Sequence, residues 1–441
     1  MTTAENDRQP GGAFAALTSR SYRIYISGQS LANMGSWMQS IAQDWLIFEL
    51  TRSSTAVGVT MALQFLPMLL LGLHAGAVAD RMSKRRILLI TQSLNAAATL
   101  ALAVITLSGA VRAADVYAFA LLSGLIFAFD GPARQAFVTE VVPEGKLRAA
   151  ISLNAAVFQA TRLIGPAIAS VLIAAVPSTT GGTGWVFALN AACYLGPTAG
   201  LLLLRPADLQ PARPASKAQG TVLAAVRYLR GHPDVRWTIF LVGMLGTFGL
   251  NFPIVLTAMA KSAFGGNAST YGLFNILLGL GSAAGAVVAA AGTRPRTRAI
   301  VTAAAVFGIL QAAAALAPDL AVFLVLLIVM GFVNLVCQAM ANASVQLAVD
   351  PEIRGRVMGL YMLVFIGGTP IGAPVVGAIT THYGARTGML VCGAIPALAA
   401  LVTAAAAARR TRRQRRARPV PASWELLESV DWEPAAERAA L

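Results

Sequence analysis

The chain has 441 residues, 56% of them hydrophobic and 12% charged, with a mean hydropathy of +0.67 and a formal net charge of +15. A soluble domain carries roughly 25% charged residues, so a water-soluble globular fold is excluded. The positive charge is therefore placed at a membrane surface before it is read as a nucleic-acid footprint. The 40 glycines, with abundant alanine, suit helices that pack in a bilayer through small residues.

Residues 1–23 lack an apolar core, so no cleavable signal peptide is expected. A hydrocarbon core of ~30 Å needs ~20 apolar residues in a helix. The apolar runs predict twelve spans, at 24–50, 54–79, 87–110, 115–140, 148–176, 184–204, 236–260, 270–292, 299–317, 320–345, 356–380 and 387–408. In span one, Gln29, Asn33, Ser36, Ser40 and Gln43 recur at helical spacing, with Asp44 at the edge of the row. A lipid-facing helix would not bear that row, so it is expected to line a water-filled cavity, the alternative being hydrogen bonds to neighbouring helices. Spans two and three meet in a tight loop holding Gly76, Asp80, Arg81, Lys84, Arg85 and Arg86, one acid against four bases.

Span four contains Asp130 and Arg134, four residues apart and so able to neutralise each other, with Glu140 lower on the same helix. Span five contains Arg162 near its middle, followed by Gly165 and Pro166. An ionisable group at membrane depth is a functional hypothesis by default. For Arg162 three readings stand: an anion contact, a partner that tunes a carboxylate, or a permanent structural pair with Asp130. The stretch 205–235 divides the spans six and six and reads as a linker with an amphipathic helix around Thr221–Arg230. Asn334, Gln338, Asn342 and Gln346 form a second polar ridge in span ten, and Gly367, Gly368, Thr369 and Pro370 interrupt span eleven. Phe65, Phe127, Phe158, Phe248, Phe252 and Phe274 are available for an adaptable apolar pocket, or for lipid and core packing.

The tail 409–441 opens with a run of arginines and closes on acidic residues between Trp424 and Trp432. Of the 34 basic residues, 28 fall in the even-numbered loops, the linker and the two termini, which by the positive-inside rule puts both termini in the cytoplasm. That distribution accounts for the charge through anionic lipid rather than nucleic acid. The expected organisation is a cytoplasmic segment 1–23, a six-helix bundle 24–204, a linker 205–235, a second bundle 236–408 and a cytoplasmic tail 409–441. An internal repeat supports it. At an offset of 208 residues, Val142, Pro143, Leu147 and Arg148 overlay Asp350, Pro351, Gly355 and Arg356, and Gly165-Pro166 overlays Ala373-Pro374. A weaker second copy of the first tight loop lies around Arg294–Arg298, where the bases persist and the acid is gone.

The loop containing Gly76, Asp80, Arg81, Arg85 and Arg86 resembles the motif after the second helix of the major facilitator superfamily, with Ser83 where that family usually has glycine. Together with Gln43-Asp44-Trp45-Leu46, the Asp130 to Phe137 segment and Arg162-Leu-Ile-Gly165-Pro166, it is similar to the branch of bacterial exporters that includes the enterobactin exporter and multidrug and macrolide efflux proteins. The resemblance covers about residues 15–405. It implies an all-α integral membrane protein with twelve transmembrane helices in two pseudo-symmetric six-helix bundles, and substrate bound between them near the midplane. It also implies a latch, with Asp80 near the start of span eleven at Gly355–Gly359 and Arg81 facing Glu140.

The expected function is proton-coupled export of a small amphipathic compound, such as a drug, antibiotic or siderophore, across the cell membrane by alternating access. A nutrient importer and a non-transporting receptor or scaffold are the alternatives. No enzymatic activity, cofactor, metal or nucleic-acid partner is expected. His74, His232 and His382 are scattered, Cys193, Cys337 and Cys392 have no ligand spacing, and no phosphate-binding glycine loop supports ATP. The substrate, protons and the bilayer are the expected partners of a monomer. Among the buried charges Asp44 ranks first as proton site because no base lies within a helical turn of it, whereas Asp130 has Arg134 one turn away. Asp130, Arg134 and Arg162 are expected to form a structural or substrate-contacting group.

Overall fold

The computed structural model describes residues 14–143, 145–176, 178–205, 209–210, 222–291 and 296–417. Its first half runs α1 (Arg20–Thr51), α2 (Ser54–Arg81), α3 (Lys84–Leu107), α4 (Ala113–Val141), α5 (Leu147–Ala175), α6 (Thr179–Cys193) and α7 (Leu195–Leu203). After the linker come α8 (Val222–Gly231), α9 (Pro233–Met244), α10 (Phe252–Ala258), α11 (Ala268–Ala291), α12 (Thr297–Ala315), α13 (Leu320–Ala348), α14 (Arg354–Gly367), α15 (Thr369–Tyr383) and α16 (Ala385–Ala417). The described residues contain no β-strand.

Among the described residues, eleven helical segments are long and apolar enough to cross a bilayer. The twelfth expected span, α1, is 32 residues long, ~48 Å at 1.5 Å per residue, but falls below that hydropathy test. Its polar groups are the reason, and most of them are matched inside the protein. Gln39 accepts from Thr99 Oγ1 on α3 at 3.1 Å and from Asn190 Nδ2 on α6, and the Tyr22 hydroxyl donates to the Ala150 carbonyl on α5 at 3.0 Å.

Three spans are interrupted. The sixth bends at Tyr194 between α6 and α7. The eleventh breaks at Gly368 between α14 and α15, where the glycine and proline run was expected to break it. The seventh, read as a continuous helix, is instead α9, a π-helical turn Leu245–Gly249, α10 and a second π-helical turn Met259–Ala263. The break falls before Pro253, which has no N–H to offer the helix, and Asn251 Nδ2 bonds the freed carbonyls of Thr247 and Phe248 at 2.8 and 3.0 Å. The amphipathic surface helix stands at α8, one residue from its expected place. Residues 206–208 and 211–221 of the linker, the loop copy at Arg294 and Pro295, residues 1–13 and the acidic end of the tail lie outside the described residues.

Helices α1 to α7 pack among themselves, α1 against α5, α6 and α7, and α3 against α4 and α6. Likewise α11 and α12 pack on α13, and α12 on α16. The two most extensive crossings that join these groups are α2 on α15 and α5 on α11, with smaller contacts of α2 on α10 and α14 and of α1 on α10 and α11. The first two are copies under the internal repeat. A Cβ on Gly58 of α2 would meet the backbone of Ala373 and Pro374, and one on Gly272 of α11 would meet Ser170 and Pro166 of α5. At the first crossing the glycine lies against the repeated proline and the residue before it, at the second against Ser170 with the Pro166 carbonyl oxygen 3.5 Å from where a Cβ would stand, and at both only the missing side chain allows so close an approach.

Candidate transport site

Two ends of the molecule differ. Around the loops poor in basic residues, the two groups of helices meet closely. Thr381 of α15 bonds the backbone N–H of Thr55 at 2.9 Å and its hydroxyl at 3.0 Å, Gly377 lies against Ser54 and Thr55, and Lys261 pairs with Glu49 at 3.1 Å. At the end carrying the basic loops, Gly76 of α2 and Gly355 and Gly359 of α14 each have open space where a Cβ would stand. A cavity of about 550 Å³ lies in this half between α5, α11, α13 and α14, and Ala289 and Ala290 near the end of α11 place its mouth at the basic face. Phe158, Gln159, Gln338, Asn342, Tyr361 and Phe365 are among its walls.

Asp44 lies at the closed end and is 5% exposed. Its carboxylate accepts a hydrogen bond from the Tyr271 hydroxyl of α11 at 3.0 Å, so it bridges the two groups of helices. Tyr271 is fully buried and stacked on Trp45, with ring centroids 6.2 Å apart, and the Lys261 ammonium stands 5.8 Å from the Trp45 ring. Among the described residues no cation is within ion-pair distance of Asp44. Lys261 is engaged by Glu49 instead. Tyr271 and Lys261 were not singled out from the sequence, and Trp45 entered only through the Gln43-Asp44-Trp45-Leu46 segment. A lone tyrosine at the start of an apolar helix has the same pattern as a core residue, and its partner is 227 residues away.

Asp130 is fully buried and multiply bonded. Thr91 Oγ1 donates to it at 2.8 Å and Gln92 Nε2 at 2.9 Å, and Arg134 forms a direct ion pair with it. The expected Asp130–Arg134 neutralisation is met. A signal for Thr91 was present, since Thr91, Asn95 and Thr99 recur every fourth residue in an uncharged run and are all buried, whereas Gln92 lies beside that row. Arg134 also reaches Asn33 at 3.5 Å.

The grouping of Arg162 with Asp130 and Arg134 is corrected. Arg162 stands over the Trp37 ring, 5.6 Å from its centroid, and among the described residues no carboxylate is within ion-pair distance. The cause is the close crossing of α1 and α5. A Cβ on Gly165 would lie 2.6 Å from Trp37 Cβ and 2.9 Å from the Met34 carbonyl oxygen, so glycine is required there. Pro166 one turn on lacks an N–H, leaving the Arg162 carbonyl without its helical donor.

The polar row of α1 is split. Asn33 and Ser40 are half-buried and Ser36 is exposed, while Gln29, Gln43 and Asp44 are buried. Gln29 donates to Asn33 at 2.9 Å and faces a small void with Tyr25 and Gln92, away from the large cavity. The expectation that the whole row lines one wet cavity is therefore corrected. On α13, Gln338 donates to Asn334 at 2.8 Å; Gln338 and Asn342 line the cavity and Asn334 is buried beside it. Of the six phenylalanines, Phe158 alone is a cavity wall, whereas Phe252 and Phe274 are core and Phe127 is exposed.

The latch expectation is corrected in one pair. Glu140 is bonded by Lys84 at 3.5 Å, and Arg81, expected there, is exposed. Lys84 opens α3 and so points back along α4, whereas Arg81 closes α2. Arg85 caps α7 through the Leu201 carbonyl at 2.8 Å, and Arg86 is exposed. The Asp80 side chain lies outside the described residues.

Comparison with known proteins follows the same lines. The family model described as transmembrane secretion effector, a major facilitator family, matches residues 11–427. The multidrug efflux pump Tap of Mycolicibacterium fortuitum is 28% identical over 365 residues, covering 80% of this chain and 87% of that pump. The staphyloferrin A transporter of Staphylococcus aureus is 25% identical over 59% of this chain, a match that spans 64% of that transporter, just under two thirds. The enterobactin exporter EntS of Citrobacter koseri is 24% identical over 80% of this chain and 83% of its own length. Among solved structures, the nucleoside transporter NupG superposes with a TM-score of 0.67 at 14% identity, covering 87% of this chain and 98% of that one. A D-xylose–proton symporter does so with a TM-score of 0.66 at 15% identity, covering 86% and 97%.

Proposed function

The chain belongs to the major facilitator superfamily, in its family of transmembrane secretion effectors, and from that premise we propose that it is a proton-driven secondary exporter of a small amphipathic compound. It is a multi-pass membrane protein, and α1 serves as the twelfth span, so that two six-helix halves stand on either side of the cavity. Both termini face the cytoplasm, which makes the basic face the inner one and the cavity of about 550 Å³ open to the cytoplasm. Export is supported by relatives named as a multidrug efflux pump and an enterobactin exporter.

Asp44 carries the proton. The observation that supports this is its position: a carboxyl with no counter-ion among the described residues, buried where α1 of one half meets α11 of the other and held by Tyr271 alone across the join. A group so placed changes surroundings whenever the halves separate at the closed end, which is what alternating exposure to the two sides requires. Asp130 does not suit the task, because Arg134, Thr91 and Gln92 hold its carboxylate in place within one half.

The test uses purified protein in proteoliposomes with an imposed pH gradient and a panel of fluorescent amphipathic compounds of both charge signs. Asp44→Asn is expected to abolish gradient-driven movement while leaving exchange without a gradient intact. Normal pumping by Asp44→Asn with uncoupling in Asp130→Asn would invert the ranking, and normal pumping by both would remove protons from the mechanism. Accumulation in the compartment opposite the acidified one, rather than in the acidified one, would mean that proton and substrate move together and would replace export by import.

A further inference from the structure

We infer that the cargo is an aromatic carboxylate, and that Arg162 receives its negative charge. The inference rests on the transport reading above and names the class of molecule that the same cavity takes. It begins with the basic groups inside the bundle. Arg134 is paired with Asp130, Lys261 with Glu49, and Arg386 donates to the carbonyls of Ala315 and Ala317 at 3.0 and 2.7 Å. Arg162 differs from all three. Among the described residues neither a carboxylate nor a carbonyl is within bonding distance of its guanidinium, and the group that faces it is the indole of Trp37.

A guanidinium carries five N–H donors in a planar fork, and a ring face satisfies its charge in part but none of those donors directly. Keeping such a group at membrane depth is costly, and nothing in the local packing calls for it: Trp37 and the Gly165 crossing would be served as well by an apolar residue. The fork matches a carboxylate, which accepts two parallel hydrogen bonds from it.

The surroundings define the rest of the molecule. Arg162 lies one helical turn from Phe158 and Gln159, which face the cavity, and Trp37 meets Phe158 edge-on with ring centroids 5.6 Å apart. Cation and aromatic shelf thus adjoin the cavity through Phe158, without themselves being among its walls. The opposite wall is apolar, with Ala286, Met362 and Phe365, and carries Gln338 and Asn342 as neutral hydrogen-bonding groups. A flat apolar body fills this space while its carboxylate reaches Arg162. Asp44 lies two turns beyond Trp37 on the same face of α1, ~10 Å along the helix, so the anion and the proton are taken at separate places on one stripe.

Binding of 2-naphthoate, its neutral isostere 2-naphthamide and the 2-naphthylmethylammonium cation is measured by equilibrium dialysis on the full chain in lipid nanodiscs. The wild type is expected to bind naphthoate at least about tenfold more tightly than naphthamide, the range of one charge-assisted hydrogen-bonded pair. Arg162→Gln is expected to erase that preference while leaving naphthamide affinity unchanged, and Arg162→Lys to keep part of it. Equal affinity for naphthoate and naphthamide, a preference for the cation, no naphthoate binding, or a preference that survives in Arg162→Gln would each overturn the proposal. The wild-type comparison decides even if Arg162→Gln does not fold. Equilibrium binding needs neither a gradient nor a direction, so failure of proton-driven export would leave this result standing, and failure here would leave export intact.

Discussion

At the scale of single residues, the two buried aspartates are opposites although both sit inside helices of the same half. Asp130 is enclosed by a base, a hydroxyl and an amide, and the structure depends on it. Breaking a buried pair by removing one partner leaves the other charge without compensation and costs about 3–5 kcal/mol. Since Arg134 keeps 30% of its side chain exposed, Asp130→Ala is expected near the lower end of that range, read as a lowered Tm in detergent. Asp130→Ala combined with Arg134→Met should recover most of the loss, because no charge is then stranded. An unchanged Tm in the single variant would show that the pair contributes nothing to stability. Asp44, by contrast, has its identified bond to an element of the other half, so neutralising it is expected to change coupling more than folding.

At the scale of elements, the closed end is held by crossings in which a glycine lets two helices approach closely. The Thr55 and Thr381 hydroxyls are 3.0 Å apart across one of these crossings. Sulfurs in their place need only a small shift to bond at ~2.05 Å. Thr55→Cys with Thr381→Cys is therefore expected to cross-link under mild oxidant, seen as loss of both thiols to maleimide. Transport should stop and return on reduction. The native Cys193, Cys337 and Cys392 are buried and should give little background. A cross-linked protein that still transports would mean that α2 and α15 never part at this end.

At the scale of the whole molecule, the asymmetry between a sealed face and an open cavity has meaning only once the sides are assigned. The placement of the bases proposes one, with the basic face inward. A membrane-impermeant maleimide applied to intact cells is expected to label Ser108→Cys in the exposed α3–α4 turn, and to label Arg148→Cys at the start of α5 only after permeabilisation. The reverse pattern would turn the molecule over, and with it the side to which the cavity opens. The fold is indifferent to this result, because burial and helix packing are the same in either orientation.

The division between chain and structure follows from which forces are local. Hydropathy and the placement of bases are properties of consecutive residues, so the membrane class, most helix positions and the loop motif between spans two and three were legible in order along the chain. The Asp130–Arg134 pair was legible for the same reason, its partners being one turn apart. Three things were not. The Asp44–Tyr271 bond joins residues 227 apart, and nothing local marks the tyrosine. Arg162 and Asp130 both lie within spans of the same half, yet the guanidinium stands over Trp37, beside the Gly165 crossing, and not on the acid. Lys84 rather than Arg81 meets Glu140, because the direction in which a side chain leaves its helix end depends on how that end is docked. Helix formation is decided by neighbours in sequence; the pairing of buried charges is decided by which helices touch, and close contact between helices here depends on the few glycines that permit it.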